Sequence, residues 1–156
     1  MPKQIPLTRG QFVTVDNEDF DFLNQWKWYV TACGYAARHD YSNKQKKQIM
    51  MHHLLVAREP GMHTDHINRD RLDNRRENLR VCSAKNNLQN KKAPNGKKFK
   101  GVYECKGKTK TTWKALMRPG GKFIHLGVYN SEIEAARAYN TAAVKQYGEY
   151  AYLNPV

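Results

Sequence analysis

The residues best equipped for chemistry lie between Thr64 and Asn90, in TDHINRDRLDNRRENLRVCSAKNNLQN. An Asp-His step is followed there by separately spaced asparagines in an arginine-rich setting. Asp65 offers a hard carboxylate oxygen and Asn87 an amide oxygen, both suited to a divalent cation. His66, with an ordinary pKa near 6.5, keeps a neutral fraction at pH 7 and can take a proton from water. These are the tools for hydrolysing a phosphodiester at one metal ion, so DNA cleavage is the expected reaction.

Particular elements must position such a set. The pattern predicts a short strand ending at Asp65-His66, a loop from Asn68 to Arg76, and a helix capped by Ser83 that runs from Ala84 to about Lys92. Asn87 and Asn90 are three residues apart, share a face of that helix, and can both look toward the strand end. Oxygen ligands with few protein contacts favour Mg²⁺ or Mn²⁺, while the nearby histidine leaves Zn²⁺ or Ni²⁺ open.

Charge points to the same class of partner. The chain has 27 Lys+Arg against 14 Asp+Glu, a formal charge of +13, which suits neutralisation of many phosphates. Residues 1–60 hold eight basic and six acidic side chains, and residues 61–98 hold ten and four, so the charge gathers around the candidate site. No apolar run approaches the roughly 18 residues needed to span a bilayer, and no apolar secretion signal opens the chain. Cys33, Cys82 and Cys105 are scattered and form no Cys-x-x-Cys pair, which excludes a zinc knuckle and suits an intracellular, reduced protein.

The expected class is α+β. Residues 1–60 read as β-rich, with strand-like runs at Gln11 to Val15, Trp26 to Ala37 and Gln48 to Met51, the last two flanking a turn at Asp40 to Lys47. Residues 61–92 form the catalytic core, and 93–98 form a basic linker broken by Pro94, Asn95 and Gly96. Residues 99–156 read as a second module. Its strand-like pieces at Gly101 to Cys105, Thr111 to Met117 and Lys122 to Tyr129 make a three-stranded antiparallel meander. A helix follows, with a Ser131/Glu134 capping box, a small-residue face of Ala135, Ala136, Tyr139, Ala142 and Ala143, and a stop at Gly148.

The central stretch resembles the HNH endonucleases, specifically their phage and intron-encoded homing branch, in which two strands and a helix wrap one metal. The resemblance rests on Asp65-His66, Asn78-Leu79 and Asn87, nine residues after Asn78. It implies Asp65 and Asn87 as metal ligands, His66 as general base and Asn78 as the amide that fixes the loop. It also places His52, in MMHHLL, at a family position that contacts phosphate or packs near the site. His39 and His63 are read as exposed spectators.

Residues 99–156 resemble the Apetala-two, or ethylene-response-factor, DNA-binding domain, through KGVY from Lys100, WKALM from Trp113, HLGVYNSEIEAARAYN from His125 and GEYAYLN from Gly148. That likeness implies a sheet lying in the major groove of double-stranded DNA, with Lys100, Tyr103, Cys105, Leu116, Arg118, Phe123 and His125 at the contacting positions. Lys114, Arg118 and Lys122 are the basic candidates there, and Trp113 is read as core. Arg69 and Arg75 in the central loop, with Lys91, Lys92, Lys97 and Lys98 near the linker, complete the expected DNA contacts. Two classes of function follow: a metal-dependent homing-type endonuclease, with a monomer favoured, and a non-cleaving sequence-specific binder whose nuclease core has become a scaffold.

Overall fold

The computed structural model describes residues 1–42, 45–94 and 96–156. Asn43 and Lys44 in the expected turn, and Asn95 in the expected linker, lie outside the described residues. The chain divides into two compact units, Met1–Asn87 and Leu88–Val156.

In the first unit β1 (Lys3–Pro6) and β2 (Phe12–Val15) form an antiparallel hairpin. Helix α1 (Asn17–Asn24) follows, then β3 (Tyr29–Val30), β4 (Ala36–Asp40) and β5 (Lys47–Met50) in one antiparallel sheet. The pairing of β4 with β5, from Ala37↔Met50 to Asp40↔Lys47, is the hairpin expected around the polar turn. Two elements lie outside the expected strand-like runs. Lys3–Pro6 is a strand, and the stretch after β2 is helical because Glu18 and Asp19 sit in the first turn, where the helix dipole favours them, while Leu23 is buried one turn on. The expected run from Trp26 to Ala37 is likewise interrupted by a turn between β3 and β4.

Helix α2 (His52–Leu55) leads to the two-stranded ribbon of β6 (His63–His66) and β7 (Leu79–Cys82). One core draws on β1, β2, α1, β4, α2 and β7: Ile5, Leu7, Val13, Val15, Leu23, Trp28, Ala36, Met51, Leu55 and Leu79. The amino-terminal elements and the ribbon therefore share a single hydrophobic interior, and burial of each large side chain in it is worth about 2 kcal/mol.

Helix α3 (Ala84–Gln89) starts as expected, with Ser83 Oγ accepting the Asn86 N–H at 3.2 Å, but stops three residues early. Three asparagines in seven residues give it little intrinsic helix preference. Asn90 thus lies beyond the helix, not on one face of it with Asn87.

The second unit is a meander of β8 (Val102–Lys106), β9 (Thr111–Met117) and β10 (Ile124–Tyr129), covered by α4 (Glu132–Tyr147). Ser131 and Glu134 form the capping box reciprocally, at 3.1 and 3.2 Å, and Ala135, Ala136, Tyr139 and Ala143 are buried. Gly101 permits the close approach of helix and sheet. At φ +76° a β-carbon there would lie 2.1 Å from the Tyr139 ring. The tail is held by buried Asn154, which exchanges hydrogen bonds with both backbone groups of Lys100 at 2.7 and 3.0 Å.

Candidate active site

The ribbon sets two buried polar residues side by side in sequence. In its register Asp65 faces Arg80 and His66 faces Leu79. Arg80 donates from Nη2 and Nε to Asp65 Oδ2 at 2.8 and 3.1 Å, and the two side chains are only 11% and 9% exposed. The ion pair thus lies in a place from which water is largely excluded. Cys82 lies on the same strand as Arg80, and burial, with the charge of Asp65, pushes the pKa of its thiol up.

His66 meets a different set of neighbours. Its Nε2 lies 2.9 Å from Oδ1 of Asn74, and its ring lies beside those of His52, at 5.2 Å between centroids, and Tyr35, at 5.8 Å. Burial lowers its pKa, and that effect outweighs the hydrogen bond to Asn74 and the charges of Asp65, Asp70 and Asp73, which raise it. Burial drives His52 further, down to about 3, with His53, His66 and Arg58 adding to the shift. His52 Nδ1 and Asn74 Nδ2 are buried without a hydrogen-bond partner. Such atoms are costly in a folded protein and mark places where a ligand can complete the bonding.

The loop between the strands is fixed by Asn78. Its Oδ1 accepts the Asn68 N–H at 2.9 Å, its Nδ2 donates to the Asp73 carbonyl at 2.7 Å, and its own carbonyl accepts the Ile67 N–H at 2.9 Å. Arg69 takes a left-handed φ of 67° at the bend, with its N–H on the His66 carbonyl.

The amino-terminal elements hold this loop from the other side. Strand β2 brackets Asn74, since Thr14 N–H donates to the Leu72 carbonyl and the Thr14 carbonyl accepts from Asn74 N–H, both at 2.8 Å. Asp16 accepts the Arg76 N–H at 2.7 Å, and Asp19 takes the Arg76 guanidinium in two bonds of 2.8 and 2.7 Å.

Sequence reasoning missed Asn74, Arg80, Asp19 and Tyr35. A base needs an orienting partner, and a polar residue eight positions on in a loop was a findable candidate for Asn74. Arg80 was findable too, because a buried carboxylate in a short ribbon calls for a counter-charge directly across it.

Among the described residues no group of three or more His, Cys, Asp and Glu is placed to hold a metal ion. As donors, the Asp65 carboxylate and the Asn87 amide oxygen are of the kind that suits a hard cation keeping most of its waters, as Mg²⁺ and Mn²⁺ do, and not a zinc cage of nitrogen and sulfur.

Arg75 spends its guanidinium on Asp73, at 2.7 and 2.8 Å, and on Glu77. In the second unit Tyr103, Lys114 and Val128 lie in one row across β8, β9 and β10, all exposed, on the face opposite the buried Val102 and Ala115. Lys97 sits over the Tyr103 ring at 4.0 Å, and Arg118 sits over Phe123 at 4.8 Å. Lys122 and His125 are exposed at the start of the third strand, as are Lys91, Lys92 and Lys98 before the sheet. Lys100 is turned to the protein instead, donating to the carbonyls of Gln89 and Lys91 at 2.7 and 2.9 Å. Trp113 packs partly buried against the core. Among the described residues no helix is long and apolar enough to cross a membrane.

Comparison with known proteins places these features. Residues 52–89 match the HNH endonuclease family model. An uncharacterized HNH endonuclease of Acanthamoeba polyphaga mimivirus is 26% identical over 149 residues, covering 95% of this chain and 77% of the viral protein. An AP2-like ethylene-responsive transcription factor of Arabidopsis thaliana is 39% identical over 57 residues, and an APETALA2-like protein of Oryza sativa is 41% identical over 61. Each plant match covers 36% of this chain and 13% of the plant protein. No solved structure matches the chain at a significant level. The chain thus carries an HNH endonuclease segment together with an AP2-like DNA-binding segment, and its enzyme class is that of the DNA-hydrolysing endonucleases.

Proposed function

We propose that the protein cuts double-stranded DNA at a centre made by Asp65, His66 and Asn87, as a site-specific homing-type enzyme of a phage or mobile element. We further propose that it works as an intracellular monomer, with residues 61–92 as the nuclease core and 99–156 as the DNA-holding module. The observation that carries the reading is the setting of His66 within the matched segment: buried, kept neutral, and held at Nε2 by an asparagine whose loop is fastened by Asn78.

With Oδ1 of Asn74 facing Nε2, that nitrogen carries the imidazole proton and Nδ1 keeps the lone pair that takes a proton from water. Asp65 and Asn87 would hold Mg²⁺ or Mn²⁺, which supplies Lewis-acid stabilisation of charge on the phosphate and the leaving 3′ oxygen. His52 packs against His66 and, buried and neutral, offers its unpartnered Nδ1 toward a polar ligand.

The rival reading, a binder without cleavage, is favoured by one observation: Asp65 is already paired with a resident cation, Arg80. Incubating supercoiled plasmid with the protein and Mg²⁺ or Mn²⁺, alongside His66→Ala, separates the two. Nicking by the wild type and its loss in the variant support the enzyme. Tight binding without nicking on a substrate that contains the natural target supports the binder.

A further inference from the structure

The arginines of the central segment differ in what they already hold. Arg75 is engaged by Asp73 and Glu77, Arg76 by Asp19 and Glu18, and Arg80 by Asp65. Arg71 is exposed and, among the described residues, has no carboxylate against it. Its Nη1 donates to the Cys33 carbonyl, and its guanidinium lies 4.7 Å over the Tyr35 ring. Tyr35 is the ring that also borders His66 and His52, at 5.8 and 5.1 Å.

Both sides of this arrangement are fixed before any substrate arrives. The turn that carries Cys33 and Tyr35 is closed by Thr31 N–H on the Tyr35 carbonyl at 2.9 Å, Gly34 N–H on the Thr31 carbonyl at 2.8 Å, and Tyr35 N–H on Thr31 Oγ1 at 3.1 Å. On the loop, Asn68 Oδ1 accepts the Asp70 N–H at 2.8 Å and Asp70 Oδ1 accepts the Leu72 N–H at 2.9 Å, which pins the backbone on both sides of Arg71. A guanidinium stacked on an aromatic face and tied by one of its five N–H groups keeps a fork of donors of the right shape for a phosphate.

From this geometry we propose that Arg71, on its Tyr35 platform, grips a DNA phosphate flanking the one that is cut and so registers the scissile bond against His66. This rests on the endonuclease reading above and adds a substrate-positioning residue to it. Arg75 of the same loop does not match it: its charge is matched by two carboxylates, whereas Arg71 is joined to the base through a single ring.

The test compares wild type, R71A and R71K in single-turnover nicking of supercoiled plasmid with Mg²⁺ or Mn²⁺, beside binding of a random-sequence duplex. Arg71→Ala is expected to slow nicking about 30-fold at saturating protein while duplex affinity changes less than about threefold, with partial recovery in Arg71→Lys. Once the cut is mapped, single methylphosphonate substitutions are placed at the flanking phosphates. One of them should slow the wild type about tenfold or more and have no further effect on R71A, as expected when both changes delete the same contact. Nicking by R71A at the wild-type rate overturns the proposal, as does equal loss of rate and affinity, or additivity at every flanking phosphate. No nicking by the wild type with either metal sinks the endonuclease reading and this one with it, whereas the other three outcomes sink this one alone.

Discussion

The unit Met1–Asn87 buries Asp19, His52, Thr64, Asp65, His66, Asp73, Asn74 and Asn78, whereas Leu88–Val156 buries only Asn90 and Asn154 among its described polar residues. Among the described residues, the atoms buried without a partner, on Arg38, His52, Thr64 and Asn74, all belong to the first unit. Burying a polar group opposes folding unless it is bonded, so the unpartnered atoms of His52, Thr64 and Asn74 mark a region arranged for something other than stability. Its hairpin, first helix and core serve to hold a polar loop rigid around His66. The second unit has an apolar interior of Phe99, Val102, Ala115, Ala135 and Ala136, and displays Tyr103, Lys114, Lys122, Phe123 and His125 outward. Chemistry needs fixed, dry groups; a grip on a polyanion needs exposed ones.

The sharpest way to break this division is His66→Ala. If the first unit does the chemistry, nicking should fall about a thousandfold while DNA affinity stays within about threefold. A comparable drop in affinity would mean that His66 serves binding and that the contrast between units is false. Next in size is Asn78→Ala, which deletes two side-chain bonds that tie the loop to itself. A loss of about 10- to 100-fold in rate, with little change in affinity, is expected of a residue that only orients others.

Much of the fold and the pattern of the candidate site was legible in the sequence. Asp65-His66, Asn78 and Asn87 were readable because their spacing is short and local, and so were the meander, the capping box and the alanine face of α4. Three things were not. Helix α1 escaped because NEDFDFLN has few apolar residues, and its placement comes from Leu23 packing into a core built by distant strands. The end of α3 at Gln89 escaped because the Ser83 start signal has no matching stop signal before Pro94. Asp19 with Arg76 and Tyr35 with Arg71 escaped because each pair joins residues dozens of positions apart, which only the folded chain brings together. Charge counting misled in a related way. Arg75 adds to the positive total of its segment, but two carboxylates neutralise it where it stands.

The buried histidines give the first unit an acid sensitivity that the second should lack. His52 has a folded pKa of about 3 against an ordinary 6.5, so below pH 6.5 the unfolded chain binds a proton that the folded one refuses. Stability is therefore greatest above pH 6.5 and falls as pH drops toward 3, by more than about 1 kcal/mol per unit at the steepest. Burial lowers His66 in the same direction, so the acid limb of the nicking rate should lie below pH 6.5. Melting followed against pH should show His52→Phe less acid-sensitive than the wild type. An unchanged profile would show that His52 is solvated and the site less dry than described.

The smallest effect tests the second unit by setting two of its lysines against each other. Lys114 is exposed in a row with Tyr103 and Val128, whereas Lys100 donates to the carbonyls of Gln89 and Lys91. If the sheet face is the grip, Lys114→Ala removes one phosphate contact. It should lower the slope of log affinity against log salt by about 0.9 and weaken binding a few-fold, without shifting the melting temperature. Lys100→Ala should do the reverse, leaving the slope alone and destabilising the unit, because its ammonium is committed to protein oxygens that would lose a charged donor. The two variants carry the same change in net charge, so a bulk effect of the basic composition predicts equal slopes. Unequal slopes in the stated sense can arise only if DNA meets the outer face of the meander, and the opposite order would place the grip on the edge where Lys100 lies.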